Sequence, residues 1–136
     1  GSQTDFPVKL KKATTKLTDL HLMRYLCIED GKILLYQKRK GEWLEAHWEV
    51  PTSCIKSADK DFRQYTLEER SIPDNVTLKS SITRYKIHNY ALSTCKNELL
   101  ENIPSYKERD MKFFKIKNLP LISTATKKIL TKLKLL

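Results

Sequence analysis

The dipeptide Asp30-Gly31 lies between two apolar runs and constrains the fold more than any other feature of this sequence. The first run spans residues 20–29 and the second spans residues 32–37, and both contain many strand-forming side chains. Asp-Gly readily adopts the positive φ angles that a tight two-residue turn requires. The sequence therefore predicts a β-hairpin over residues 20–37.

The chain has 136 residues, which is enough for one domain around a single core and too few for a multidomain enzyme. Its apolar runs are far shorter than the roughly twenty residues that cross a bilayer, so no membrane span is predicted. Residues 1–19 are predicted to be an N-terminal arm or linker, in which Gly1-Ser2 resembles the scar of a removed tag. The domain itself is predicted over residues 20–136.

The formal net charge of +10 is concentrated at the two ends of the chain. Residues 1–40 carry 9 basic and 4 acidic side chains, residues 41–104 carry 8 and 10, and residues 105–136 carry 9 and 2. This pattern favours a polyanion as partner, with nucleic acid ahead of an anionic membrane surface. The alternative is that the lysines keep a small domain soluble.

The three cysteines are widely separated along the chain, and so are the three histidines. A disulfide framework or a zinc site would need paired or clustered ligands. We therefore predict no disulfide and no metal site, and a reducing cytoplasm fits best. We also expect a monomer.

Further elements follow from hydrophobic periodicity and turn signals. The prediction comprises an ordered aromatic loop, a helix, a second hairpin with its tip near residues 80–84, a strand and a closing helix, over residues 38–51, 58–71, 75–93, 111–116 and 123–136. Thr124 is the expected N-cap of the closing helix. One apolar stripe of that helix should pack on the sheet while its lysines stay in solvent; the stripe comprises Ile122, Ala125, Ile129, Leu133 and Leu136.

This order of elements resembles a Nudix-like α/β (α+β) sandwich, in which a mixed β-sheet is flanked by helices. The resemblance becomes more specific at residues 32–39, at Gly41-x-Trp43 and at Trp48-Glu49-Val50-Pro51. These motifs resemble the C-terminal domain of MutY-type A/G-specific adenine DNA glycosylases, which also closes with a helix after a Leu-Pro element. The similarity covers about residues 20–135.

A Nudix hydrolase would hold Mg²⁺ on a helix with the motif Arg-Glu-x-x-Glu-Glu-x-Gly. In this chain Gln64-Tyr65 replaces Arg-Glu, Glu68-Glu69 is kept, and Arg70-Ser71 ends the motif. Because hard cations need several convergent carboxylates, we predict no catalytic residue and no metal ligand here, and we read Glu68 and Glu69 as surface side chains. A nucleotide hydrolase with a rearranged metal site is the alternative, and a protein-interaction module is a third possibility.

The family resemblance implies a role in recognising 8-oxoguanine opposite adenine in double-stranded DNA. A Phe-Ser-His loop does this in the family, and Ile82, Thr83 and Arg84 take its place here. Oxidised guanine has an N7–H donor, so the hydroxyl of Thr83 could accept a hydrogen bond that guanine cannot give. Ile82 would act as an aliphatic wedge and Arg84 would contact a phosphate. Ordinary strand packing of Ile82 and Thr83 is the competing interpretation.

The first hairpin is followed by three basic residues that could contact the DNA backbone, namely Lys38, Arg39 and Lys40. Trp48 is expected in the core, whereas Trp43 could face either the core or DNA. The resemblance further implies that base excision belongs to a separate catalytic glycosylase domain of the same chain. That domain would carry the 4Fe-4S cluster of the family, so no cofactor is expected in the present segment, and the parent protein would be cytoplasmic and nucleoid-associated.

Overall fold

The computed structural model describes residues 17–136, and most of the predicted N-terminal arm lies outside these described residues. Thr18 and Asp19, assigned to that arm from the sequence, belong to the first strand. The elements in chain order are β1 (Thr18–Leu26), β2 (Ile28–Glu29), β3 (Lys32–Gln37), β4 (Trp48–Glu49), β5 (Thr52–Ser57), β6 (Leu78–Ile82), β7 (Tyr85–Ser93), α1 (Lys96–Asn102), a 3₁₀ helix (Pro104–Glu108), β8 (Met111–Lys115) and α2 (Thr124–Lys132).

The strands form two sheets, which together with the helices give the predicted mixed α+β sandwich. In the first sheet the order is β5-β1-β7-β6, with β1 and β7 parallel and the outer pairs antiparallel. In the second sheet β3 pairs with β2, β4 and β8, all antiparallel. No helix within residues 17–136 is long and apolar enough to cross a membrane.

The Asp30-Gly31 hairpin is confirmed. Ile28 pairs with Ile33 and Glu29 pairs with Lys32, and both turn residues have positive φ, 50° for Asp30 and 73° for Gly31. The strand before the turn is interrupted, however, at Cys27. Residues 18–26 pair with β5 and β7 of the first sheet instead of continuing the hairpin.

Alternation along β1 places its side chains on two faces that serve different parts of the fold. Leu20 and Leu22 are buried in one apolar cluster beside β7, while Met23 and Tyr25 are buried in another that includes Leu99 of α1. Successive side chains of a strand point to opposite faces, so this strand, buried on both faces, contributes to two apolar clusters. The strand thus fixes the positions of α1 on one face and of the β6–β7 hairpin beside it.

The helix predicted over residues 58–71 is wrong, because this segment is irregular. Local hydrogen bonds compete with helix formation at its start: Ser57 Oγ accepts from the Asp59 amide at 3.0 Å, and Asp59 Oδ1 accepts from the Asp61 amide at 3.0 Å. Further along, the chain extends along the edge of β5, where the Cys54 amide donates to the Thr66 carbonyl at 2.8 Å. Sheet-edge pairing therefore replaces the expected helical hydrogen bonds.

The closing helix is confirmed, with two corrections at its ends. Its N-cap is Ser123 and not Thr124, since Ser123 Oγ accepts a hydrogen bond from the Thr126 amide at 3.2 Å. Ile129 is fully buried, as the stripe predicts, but Leu133 is 38% exposed because the helix ends at Lys132. The predicted strand near residue 111 is also confirmed, as β8.

Candidate nucleic-acid interface

The second predicted hairpin is formed by β6 and β7, and it presents the proposed recognition residues at its tip. Ile82 pairs with Tyr85, which leaves Thr83 and Arg84 as a two-residue turn. Both turn residues are exposed. Thr83 has a φ of 49°, in the left-handed region that a β-branched residue rarely adopts. Its hydroxyl is therefore displayed on a strained turn.

Asp59, in the irregular segment of residues 58–71, contacts the hairpin tip through its carboxylate. Its carboxylate accepts a hydrogen bond from the Tyr85 hydroxyl and forms an ion pair with Arg84 at 3.4 Å. The bond from Tyr85 and the amide of Asp61 hold the pKa of Asp59 below its usual value. Arg84 remains 66% exposed despite this pair, so its guanidinium is accessible to a further anion.

An aromatic cluster connects the hairpin to the loop that follows β3. The Trp43 ring lies 5.5 Å from that of Phe62 and 5.5 Å from that of Tyr85, measured between centroids. Ile82 is partly buried against the same cluster, so only part of its side chain faces solvent. The position of Trp43, which the sequence left open, is thus next to the core. Trp43 is thus the residue of this loop that contacts the hairpin, at Tyr85.

The three basic residues of that loop do not share one environment. Arg39 and Lys40 are exposed, and the guanidinium of Arg39 donates to the Glu108 carbonyl. Lys38 is buried instead, with its Nζ 3.2 Å from Glu49 Oε1. The prediction that Lys38 contacts a phosphate is therefore corrected: its ammonium points into the fold and is already paired.

Glu49 is the centre of a buried polar cluster between the sheets. One carboxylate oxygen accepts from Lys38, from the Tyr36 hydroxyl at 3.0 Å and from the Tyr65 hydroxyl at 2.8 Å, while the other lies 3.4 Å from Arg24 Nη1. Burial alone would raise the pKa of Glu49, but the two cations hold it below its usual value. A buried carboxylate with such partners stays charged and fixes the surrounding strands.

Tyr65 stands where a Nudix metal helix would have its first glutamate, and it is buried in this cluster. Glu68 is not the free surface carboxylate predicted from the sequence: it accepts hydrogen bonds from the Tyr25 hydroxyl and from Ser53 Oγ, and it pairs with Arg70 at 3.5 Å. The Glu68 carboxylate is thus already bound by neighbouring side chains, and it does not lie on a helix. These residues do not fit the Mg²⁺ site of a Nudix hydrolase.

An open groove of 1280 Å³ lies beside this segment. Its lining residues include Tyr65, Glu68, Glu69, Tyr106 and Arg109. Arg109 forms a two-point ion pair with Glu42, at 2.7 and 2.9 Å. Within residues 17–136 no group of three His, Cys, Asp or Glu side chains converges enough to hold a metal ion.

The remaining predicted and unpredicted contacts follow from the same packing. Trp48 packs against the core cluster around Leu130, edge to face with Phe114 at 4.8 Å, as predicted. Sequence reasoning missed Asp59 and the burial of Glu49, because both depend on partners more than ten residues away along the chain. The Trp-Glu-Val-Pro motif could have indicated the burial of Glu49. A glutamate between two apolar residues can be buried with them, and a buried carboxylate needs a cationic or hydrogen-bonding partner.

Comparisons with known proteins bear on the fold alone. No protein-family model matches this sequence, and no curated protein matches it. Solved structures do match: a MutT Nudix hydrolase from Burkholderia pseudomallei aligns with a TM-score of 0.50 at 16% identity, covering 84% of this chain and 97% of that chain. Together with the mixed sheets and flanking helices, this similarity shows that the chain has a Nudix-like fold.

Proposed function

We propose that this chain is the lesion-recognition domain of an A/G-specific adenine DNA glycosylase, and that it binds duplex DNA around 8-oxoguanine opposite adenine. The observation that carries the proposal is the β6–β7 turn. Thr83 occupies it with an exposed side chain and a φ of 49°, and Arg84 stands next to it with most of its side chain in solvent. Strained exposed turns of this kind are a recurrent feature of binding sites.

The chemistry of the lesion suits a hydroxyl at this position. Oxidation at C8 converts N7 of guanine from an acceptor into an N–H donor, and the oxygen of Thr83 can accept from it. An unmodified guanine offers only an acceptor at N7, so it would leave this bond unmade or require the hydroxyl to turn. The discrimination would come from one hydrogen bond, worth about 1 kcal/mol.

The surroundings of the turn supply the other contacts that a DNA-binding tip needs. Arg84 would contact a phosphate; its ion pair with Asp59 holds the guanidinium beside the turn. Arg39 and Lys40 precede Trp43, whose ring contacts Tyr85 of the hairpin, and both basic side chains are exposed. Phosphate contacts orient a protein on the duplex, and the hydroxyl would then read the base.

Adenine excision would be performed by another domain of the same protein, with its own 4Fe-4S cluster. Glu68 is already hydrogen-bonded within the fold, and Tyr65 replaces the first glutamate of the metal motif. Both observations favour catalysis by another domain over catalysis by the present one. The coding sequence before Gln3 tests the assignment. It should encode a helix–hairpin–helix module and four clustered cysteines, and a parent reading frame that lacks them would contradict the assignment.

Two substitutions at one position test the recognition chemistry. Thr83→Val keeps the β-branched shape but removes the hydroxyl, whereas Thr83→Ser keeps the hydroxyl. Binding to duplexes with 8-oxoguanine or guanine opposite adenine is measured by fluorescence anisotropy. We expect Thr83→Val to lose about fivefold in preference for the lesion, the equivalent of about 1 kcal/mol, and Thr83→Ser to retain the preference. Equal preference in parent and Thr83→Val would remove Thr83 from the recognition role.

A nucleotide hydrolase with a rearranged metal site is the second candidate, and the groove beside Glu68 and Glu69 is the observation in its favour. Such an activity would require Glu68 to leave its present partners, Tyr25, Ser53 and Arg70. A panel of nucleoside di- and triphosphates incubated with Mg²⁺ distinguishes the two candidates. Release of phosphate or pyrophosphate that is abolished by Glu69→Gln and unaffected by Thr83→Val would favour the hydrolase.

A further inference from the structure

The first sheet carries a row of basic side chains on one face, across all four of its strands. Lys56 of β5 is opposite His21 of β1, His21 is opposite His88 of β7, and His88 is opposite Lys79 of β6. Residues that pair in register point to the same side of a sheet. With strands about 4.8 Å apart, the row extends over about 14 Å from Lys56 to Lys79.

The middle of this row is two stacked imidazoles. The rings of His21 and His88 are 4.5 Å apart between centroids and inclined by 13°. His21 Nδ1 lies 2.8 Å from the Tyr90 hydroxyl, and His88 Nε2 lies 3.0 Å from Asp19 Oδ1. These contacts hold the two rings flat against each other between the flanking lysines.

The row continues to the hairpin tip through one further lysine. Lys86 lies on the same face, opposite Asp19 on one side and Ser81 on the other, and only two residues beyond Arg84. Lys56, Lys79 and Lys86 are all exposed. We call the surface formed by these three lysines with His21 and His88 the basic sheet face.

We propose that the basic sheet face binds the phosphate backbone of the duplex whose lesion the hairpin tip engages. This inference rests on the proposed function and adds to it a second, sequence-independent contact surface. Among the described residues paired in register on this face, three exposed lysines and two histidines accompany one carboxylate, that of Asp19. The charge of the face is therefore complementary to a polyanion.

Duplex DNA fits this face better than a membrane surface does. A peripheral membrane contact needs apolar side chains that enter the acyl boundary, whereas the side chains named here are polar. The basic sheet face also adjoins the tip directly, so one duplex could contact both. A vesicle arm in the experiment below makes membrane binding a distinct outcome.

His21, stacked on His88, gives the contact a dependence on pH. His21 is faced by Asp19 of its own strand, Lys56 of β5, and His88 and Tyr90 of β7, and Lys79 of β6 flanks His88. Burial, and then the proximity of His88, lower the pKa of His21. A phosphate at the face would favour the protonated form of His21, so affinity should rise as the pH falls through the lowered pKa of that ring.

The experiment measures binding of the full chain to an 8-oxoguanine:adenine duplex over a range of salt concentrations. One variant carries Lys56→Gln, Lys79→Gln and Lys86→Gln; its matched control carries Lys127→Gln, Lys128→Gln and Lys132→Gln on α2, where all three lysines are exposed. Each phosphate contact contributes about 0.9 to the slope of log affinity against log salt. We expect the face variant to lose about 2 to 3 from the slope, and the control to lose none.

The outcomes separate this inference from the proposed function. If the face variant keeps the parent slope while Thr83→Val loses lesion preference, the basic sheet face is refuted and the proposed function stands. If the parent chain does not bind the duplex even at low salt, both are refuted. Tighter binding to phosphatidylserine vesicles than to DNA, lost in the face variant, would assign the face to a membrane. At pH 5.5, a His21→Gln variant should lack the parent's gain in affinity; a retained gain would exclude His21 as its source.

Discussion

Because the turn at the hairpin tip is strained, we predict that a substitution there can stabilise the fold while removing function. Thr83 has a φ of 49° and an exposed side chain, and its position in a two-residue hairpin is one where glycine is preferred. A β-branched residue in the left-handed region costs about 1–2 kcal/mol. Glycine removes that cost but adds roughly 0.5–1 kcal/mol of unfolded-state entropy.

Thr83→Gly should therefore raise the free energy of unfolding by about 0.5–1 kcal/mol, since little packing is lost at an exposed turn. Urea unfolding followed by tryptophan fluorescence measures this, because Trp43 and Trp48 lie in different apolar clusters and report on both parts of the core. The midpoint should rise with an unchanged slope against urea. The same variant should lose the preference for 8-oxoguanine, as Thr83→Val does.

Ser81→Gly provides a control of opposite sign. Ser81 is exposed in β6, paired with Lys86, where glycine brings an entropic cost of about 0.5–1 kcal/mol and relieves no strain. This variant should be less stable than the parent. If Thr83→Gly is no more stable than the parent, or loses as much stability as Ser81→Gly, the backbone of Thr83 is not strained.

Two further predictions concern ionisable side chains. Glu49→Gln should lower the free energy of unfolding by about 3–5 kcal/mol, because Arg24 and Lys38 would remain buried without their carboxylate; a loss below 1 kcal/mol in urea unfolding would contradict the ion-pair geometry. The pKa of His21 is lowered in the folded state, so the unfolded chain binds a proton first as the pH falls, and stability should decrease from about pH 6.5 downwards. His21→Phe should reduce this loss of stability at low pH. If thermal unfolding shows the same pH profile in His21→Phe and the parent, protonation of His21 is not the cause of the loss.

The parts of the fold that were predictable from the sequence are those set by local chemistry. Asp30-Gly31 determined its turn because both residues tolerate positive φ, and the apolar stripe of the closing helix placed Ile129 in the core. The second hairpin was predictable from alternation, with Lys86 and His88 on the face opposite to Ile87. The resemblance to a Nudix-like sandwich rested on such elements and on their order.

The errors lie where distant partners outweigh local preference. The segment after Ala58 has helix-forming residues, but the edge of β5 offers hydrogen bonds that a sequence pattern does not reveal. Lys38 follows a strand and precedes exposed basic residues, so nothing local distinguishes it from them. Its burial depends on Glu49, eleven residues later in the chain, which no periodicity connects to it.

In the proposed function, the β6–β7 turn, and not the groove beside Glu68, is the surface that contacts the lesion. Titrating the ¹⁵N-labelled chain with an 8-oxoguanine:adenine duplex and following backbone amide shifts tests this directly. We expect the largest changes at residues 82–84, with smaller ones in residues 39–43. Changes confined to residues 65–69, or a response equal for lesion and normal duplexes throughout, would contradict it.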